Sequence, residues 1–401
     1  MTRALKVSIV GAGLGGLAAA IALRQRGFEV TVFEQSAEIT EIGAGVQLGP
    51  NAMKVLMALG LEQEALKTAF EPERHVVRNW KTGRVVAATQ MKGVYREQFG
   101  APYYGFHRAD LQATLLQAVP AGDMHLNAKC TGVRNAGNTA VASFADGSEV
   151  ESDVVVGADG IHSLVRESLY GPESPRFTGV VCWRGVVPTA EMPEGMVSPD
   201  MGAWFGPHST LVTYYVRRGE LINWAALYDA HDWREESWKT EGRPDEVLQT
   251  YADWHPAVNE LIAKTGRLYK WALFDREPLA QWSSGRITLL GDSAHPMLPY
   301  LAQGACMAVE DGYVLASELA RPGVDAAQAL KNYEALRLPR TARVQLASRA
   351  RTRVNQTTSP LARFGRDLAY AVKKMINPAR HTYGVEWIYG HDVTAGGPRK
   401  S

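Results

Sequence analysis

A chain of 401 residues is too long for one ordinary hydrophobic core, so two domains, or one elaborated α/β domain with a second sheet, are expected. Its 46% hydrophobic and 21% charged residues are those of a globular protein, and a net charge of +1 excludes the strong fields that draw nucleic acid or an acidic membrane surface. Three cysteines, Cys130, Cys182 and Cys306, are too scattered for a disulfide framework or a metal site; no metal is expected, and a cytoplasmic location fits.

The first apolar run, residues 7–10, starts too early to follow a signal peptide. No run of about 18 apolar residues exists to span a membrane. Residues 6–34 predict strand, glycine turn, helix and strand. The helix, 17–23, is rich in alanine and leucine and ends at Gly27, and 30–33 alternates into the second strand. This βαβ unit implies a parallel sheet with a right-handed crossover. Two more apolar strands, 153–156 and 286–290, run into glycine–aspartate turns. Between 177 and 282 the character changes. Eight of the ten tryptophans lie there, and 210–216 with 221–228 predicts a hairpin turning at Arg217-Arg218-Gly219-Glu220. Helices are expected around 244–263, from 305 to 319, and along a tail from about 329 that becomes loop-like after Gly390.

Three motifs carry chemistry. The first is Gly11-Ala12-Gly13-Leu14-Gly15-Gly16, followed by Glu34. Gly11 permits a tight turn, Gly13 lets a pyrophosphate reach the backbone, and Gly16 lets helix and strand pack closely. The helix N-terminus faces the phosphates, and Glu34 can accept from ribose hydroxyls. The same glycine turn occurs in unrelated α/β proteins, and it does not separate FAD from NAD. The second motif is Gly157-Ala158-Asp159-Gly160-Ile161-His162-Ser163 with Arg166. The third is Gly291-Asp292-Ser293-Ala294-His295-Pro296. Each sets a carboxylate at a strand's C-terminal end, where ligands sit in such sheets. Asp159 could equally cap the helix that follows.

Together, in this order, the motifs resemble the GxGxxG, DG and GD fingerprints of the single-component FAD-dependent aromatic hydroxylases, the family of p-hydroxybenzoate hydroxylase and salicylate hydroxylase. The similarity extends through residues 41–51, His107-Arg108-Ala109-Asp110-Leu111 and 300–308, and covers about 5–320. It is nearest to salicylate 1-hydroxylase, 3-hydroxybenzoate 6-hydroxylase and 6-hydroxynicotinate 3-monooxygenase. The fold so implied is a Rossmann-type FAD-binding domain with an inserted, mostly antiparallel sheet and a helical C-terminal tail. Its parts would be 1–72, 101–176 and 276–328 for FAD, 73–100 as a small sheet or loop excursion, 177–275 for substrate, and 329–401 as C-terminal helices.

The resemblance implies that Gly11, Gly13, Gly15 and Gly16 cradle the pyrophosphate of non-covalent FAD. Glu34 and Gln35 would hold the adenosine ribose, Arg108 the pyrophosphate or ribityl region, and Asp292 the ribityl chain. Gly304 and Ala305 would face the flavin N1–C2 carbonyl edge, Gly45 and Val46 would lie beside the isoalloxazine, and Asp159 would serve FAD and NAD(P)H. A helix starting at Gly304 would aim a positive dipole end at reduced flavin. The implied reaction uses NADH or NADPH and O2, through a flavin C4a-hydroperoxide, to hydroxylate a hydroxylated or amino-substituted benzoate or pyridine carboxylate. Gln47, Thr210, Tyr214 and Pro296 are the expected substrate contacts, with Tyr214 the main polar one. His295 is either a proton relay or substrate contact, or a structural histidine bonded to backbone. His107 is expected to be structural.

No second GxGxxG occurs, which argues against a two-nucleotide reductase or a Baeyer–Villiger enzyme. A plain NAD-dependent dehydrogenase leaves the Asp292 and Gly304 region without a task. A halogenase would carry WxWxIP, whereas this chain has Trp183-Arg184-Gly185-Val186-Val187-Pro188. A non-catalytic flavin sensor is the remaining class. Nothing in the sequence decides between a monomer and a homodimer.

Overall fold

The structure is a computed structural model that describes residues 4–39, 44–230, 241–357, 359–376 and 384–395. Glu41, Ile42 and Gly43, part of the resemblance noted above, lie outside the described residues.

Six strands form the first sheet, in the order Ser283–Ser284, Ile287–Leu289, Val154–Gly157, Lys6–Val10, Glu29–Phe33, Met124–His125. All neighbours run parallel except the first pair. The central strands are near-continuous runs of valine and isoleucine because both faces are covered. From Lys6–Val10 the chain steps to Glu29–Phe33 on one side, and later adds Val154–Gly157 on the other. The strand order therefore reverses beside Val10, which is where open α/β sheets bind ligands, outside the strands' C-terminal ends. The helix Leu14–Arg24 is buried along nearly its whole length and packs against Gly304–Leu319.

The second sheet has seven strands, ordered Leu268–Asp275, Arg176–Pro188, Leu221–Asp229, Ser209–Val216, Met201–Gly206, Arg74–Asn79, Val85–Gln90. Only Met201–Gly206 with Arg74–Asn79 is parallel. The excursion expected at 73–100 thus supplies two strands at one edge of this sheet. The alternation of strand side chains splits its residues between two faces. One face buries Trp183, Trp224 and Tyr215 under the helices Pro244–Thr250 and Pro256–Ala263. The other carries Thr210, Val212 and Tyr214, with Asn223, Ala225 and Leu227 beside them and Cys182 and Arg184 one strand further. The expected hairpin forms, and its turn holds Arg217 and Arg218 at positive φ. Arg217 then grips Asp110 through two bonds of 2.8 and 2.9 Å, which ties the turn to the helix Arg108–Gln117.

Two long helices follow, Ala326–Asn355 and Pro360–Ile376, and then a short one, Glu386–Tyr389. Among the described residues no helix is long and apolar enough to cross a membrane.

Candidate functional site

At the reversal point the glycine loop has the form a pyrophosphate needs. Gly11 sits at φ +107°, and a Cβ there would stand 2.3 Å from the Ala158 carbonyl oxygen. Only glycine fits between the two strand ends. The space beside Gly13 is open, with nothing within 4 Å of where a Cβ would point. Gly13 is also the N-cap of Leu14–Arg24, and its side offers no capping bond. The first-turn N–H groups of that helix therefore face the open space.

Glu34 ends its strand as expected. Its two oxygens accept from the Ala12 N–H and the Ser36 N–H, both at 2.9 Å, so it braces the loop while retaining acceptor capacity. Gln35 next to it is exposed. Asp159 caps the helix Leu164–Tyr170, taking bonds from the Ser163 hydroxyl at 2.5 Å and the Val165 N–H at 3.1 Å. These contacts make Asp159 a brace for the start of that helix.

Asp292 is open to solvent by surface area, yet burial raises its pKa above the ordinary value against the pull of His295 and Arg108. A carboxylate on the floor of a cleft satisfies both descriptions. Its loop is held from behind, because the Gly291 N–H donates to Asp311 at 3.1 Å. Gly304 opens the buried helix Gly304–Leu319 beside Asp292. The N-cap Gln303 is fully buried, and its amide nitrogen has no hydrogen-bond partner among the described residues. An open glycine loop, a carboxylate in a cleft and an orphaned amide donor at a helix start form a set that fits a dinucleotide with a hydrogen-bonding ring.

The second sheet meets this cleft through the two-stranded ribbon Gly45–Leu48 with Tyr104–His107. The Gly45 N–H donates to the Asn223 side-chain oxygen at 2.6 Å. A Cβ at Gly45 would lie 2.5 Å from the Tyr214 hydroxyl, so Tyr214 rests on that backbone. Gln47 accepts from the Tyr103 hydroxyl, lies on the same side of its strand as Gly45 and hence towards Tyr214, and lowers the Tyr214 pKa against burial. Burial lifts the Tyr214 pKa well above that of a free phenol. Arg184, paired in register with Ala225 on that face, lies 4.2 Å over the Trp271 ring of its other neighbour strand, and its charge pulls the Tyr214 pKa down. Thr210 is buried on the same face, its hydroxyl without a partner among the described residues.

The structure thus brings Gln47, Tyr214, Gly45 and Val46 together, with Thr210 further along the same strand. It does not bring His295 to them. His295 is buried in the first unit, against the Trp282 ring, with Nε2 2.6 Å from Asp311. Its partner is a carboxylate rather than backbone. Asp311 and Glu310 are in turn held by Arg337 and Arg340. Pro296 uses its carbonyl to accept from Gln345 at 2.8 Å. Sequence reasoning missed Tyr103, Asn223 and Arg184. The only available signal was a charged residue, Arg184, inside the apolar run 180–187.

A sequence profile described as "FAD binding domain" matches residues 4–348. A 3-amino-4-hydroxybenzoate 2-monooxygenase of Streptomyces platensis is 40% identical over 350 residues, covering 87% of this chain and 88% of that protein. A 6-hydroxynicotinate 3-monooxygenase of Pseudomonas fluorescens is 38% identical over 371 residues, covering 92% and 96%. Among solved structures, a salicylate hydroxylase substrate complex superposes with a TM-score of 0.82 at 27% identity, covering 98% of this chain and 97% of that one.

Proposed function

The chain belongs to the FAD-binding family of aromatic-ring monooxygenases, and on that premise we propose that it hydroxylates a small ring bearing both a hydroxyl and a carboxylate. NADH or NADPH and O2 would be co-substrates. The names of the relatives supply the substrate class. The observation that carries it to this chain is that Tyr214 and a buried guanidinium, Arg184, share one sheet face, with Gln47 on the ribbon that packs against Tyr214.

FAD would lie along Gly11, Gly13, Gly15 and Gly16, with Glu34 and Gln35 at its ribose, Arg108 and Asp292 at its middle, and Gly304, Ala305, Gly45 and Val46 around its ring. When bound, it supplies hydride acceptance and oxygen activation. The protein's share is to place the substrate. Tyr214 stays a neutral hydroxyl, since burial holds its pKa high, and it donates to or accepts from the ring oxygen. Arg184 carries a permanent charge that favours an anionic ring oxygen or a carboxylate. A phenolate ring is the better nucleophile, so each contact favours attack. Aromatic neighbours such as Trp271 exclude water around that charge. His295, with its carboxylate partner, supports the Asp292 loop.

A panel of hydroxybenzoates, hydroxynicotinates and aminobenzoates tests this. The expected result is stimulated NAD(P)H oxidation and a product that carries one added oxygen atom, with the carboxylate retained or expelled as CO2. Tyr214→Phe should keep FAD while lowering hydroxylation about 5- to 150-fold and diverting NAD(P)H into hydrogen peroxide. If no aromatic carboxylate in the panel is hydroxylated, the substrate class is wrong; a silent Tyr214→Phe removes Tyr214 from the site.

A further inference from the structure

The Gln47 side chain lies between two phenols, and its amide has two unlike ends. The Tyr103 hydroxyl donates to the Gln47 carbonyl oxygen. That leaves the amide N–H2 for the Tyr214 hydroxyl, which rests on Gly45, two residues back on the same side of this strand. Tyr214 then receives a hydrogen bond, and its own proton points elsewhere. Turn the amide over and the polarity inverts: Tyr214 would donate to Gln47 and have no proton left to give.

Tyr103 is itself held by the end of the chain. The Tyr389 ring lies 5.9 Å from Tyr103, 5.7 Å from Tyr95 and 5.8 Å from Phe99. It also packs on Gly49, two residues beyond Gln47, where a Cβ would stand 3.0 Å from the ring. The segment is fastened by cations from distant helices. Lys54, buried, donates towards the carbonyls of Tyr389, Gly390 and His391 at 3.4, 3.4 and 3.2 Å. Arg340 reaches the Trp387 and Ile388 carbonyls at 3.3 and 3.2 Å, and Arg343 lies 3.9 Å over the Trp387 ring. These groups satisfy carbonyls that a short helix leaves unbonded.

We propose that Tyr103, clamped by the C-terminal segment 384–393, is a positioning residue that fixes the polarity of the Gln47 amide, so that the Tyr214 proton is directed at a hydroxyl or phenolate oxygen on the substrate ring. The proposal rests on the reading of Tyr214 as the substrate contact. It gives the end of the chain a part in ring recognition although it touches no ring.

The test is a binding measurement on FAD-loaded protein, following the flavin spectrum during titration with benzoate and each of its three monohydroxy isomers. The readout is the affinity ratio between the best hydroxybenzoate and benzoate. Tyr103→Phe should lower that ratio about 3- to 10-fold, the loss of one directed hydrogen bond, while benzoate affinity stays near wild type. Gln47→Glu should lower the ratio likewise with Tyr103 intact, because a carboxylate accepts at both oxygens and captures the Tyr214 proton; its added charge weakens benzoate and hydroxybenzoate alike and cancels in the ratio. Lys54→Met should raise backbone hydrogen exchange at 384–393 and lower the ratio in step. If Tyr103→Phe and Gln47→Glu keep the wild-type ratio while Tyr214→Phe loses it, the polarity proposal is overturned and the Tyr214 reading stands. If Tyr214→Phe also keeps the ratio, that reading fails first.

Discussion

Replacing Arg337 with methionine keeps most of the apolar bulk and removes the charge. The wild-type guanidinium is 1% exposed and donates to Asp311 at 2.6 Å, Glu310 at 2.6 Å and the Met307 carbonyl at 3.3 Å. After the change Glu310 retains Arg340 and Asn51, whereas Asp311 retains His295 and the Gly291 N–H. The cost therefore falls on Asp311. Removing one partner of a buried pair costs about 3–5 kcal/mol, and the lower end applies because Arg340 still serves Glu310. Burial tends to raise the Asp311 pKa, but His295 and Arg337 more than reverse this, and the folded value lies below the ordinary one. Such a carboxylate contributes stability that is full above its unfolded pKa of about 3.9 and is lost as pH falls through the folded value. The gap between wild type and variant is thus widest at neutral pH and narrows towards acid. Urea unfolding, followed by tryptophan fluorescence, measures it. FAD must be fixed in both samples, because ligand at about 100 times Kd adds about 2.7 kcal/mol by itself. A difference under about 1 kcal/mol at neutral pH, or one that grows on acidification, refutes the reasoning.

Asp292→Ala should weaken FAD retention by about tenfold or more, read by equilibrium dialysis against FAD, through loss of a charge-assisted bond to ribityl hydroxyls. Arg184→Met should raise KM for aromatic carboxylates far more than for the matching carboxamides; equal effects on both would deny it an anion-binding task. The His75 pKa is pulled down to about 4, mainly by burial and secondarily by Arg351. His75 is neutral when folded and charges near pH 6.5 when unfolded, so it costs stability as pH falls from about 6.5 towards 4. His75→Gln should flatten that limb of a plot of Tm against pH.

The parts legible in the sequence were those whose geometry is local. Gly11 to Glu34 lie within one βαβ unit, and the period of residues 210–216 assigned Thr210 and Tyr214 to one face without any tertiary knowledge. The glycine–aspartate turns were readable because each follows directly on an apolar strand. What escaped was set by contacts between distant segments. Arg184 looks like a misfit in an apolar run until the register sets Trp271, from a strand nearly ninety residues on, beneath its guanidinium. The partner of His295, Asp311, lies sixteen residues on, on the helix Gly304–Leu319, and no motif announces that pairing. The grip of Lys54 on residues 389–391 spans most of the chain, and no periodicity encodes it.

The parallel pairing of Met201–Gly206 with Arg74–Asn79 has a consequence for dissecting the molecule. The second sheet is not an insertion that can be excised. A fragment cut at 177–275 would lack Arg74–Asn79 and Val85–Gln90, and Met201–Gly206 would become a bare edge of unpaired N–H and C=O groups. Such an edge recruits other strands, so the isolated piece should aggregate. Supplying residues 73–100 as a separate peptide should restore solubility by strand addition. The order in which the ribosome delivers these strands then matters as well: two of the seven are made early as a pair, and Arg74–Asn79 must wait for over a hundred residues before its second neighbour, Met201–Gly206, arrives.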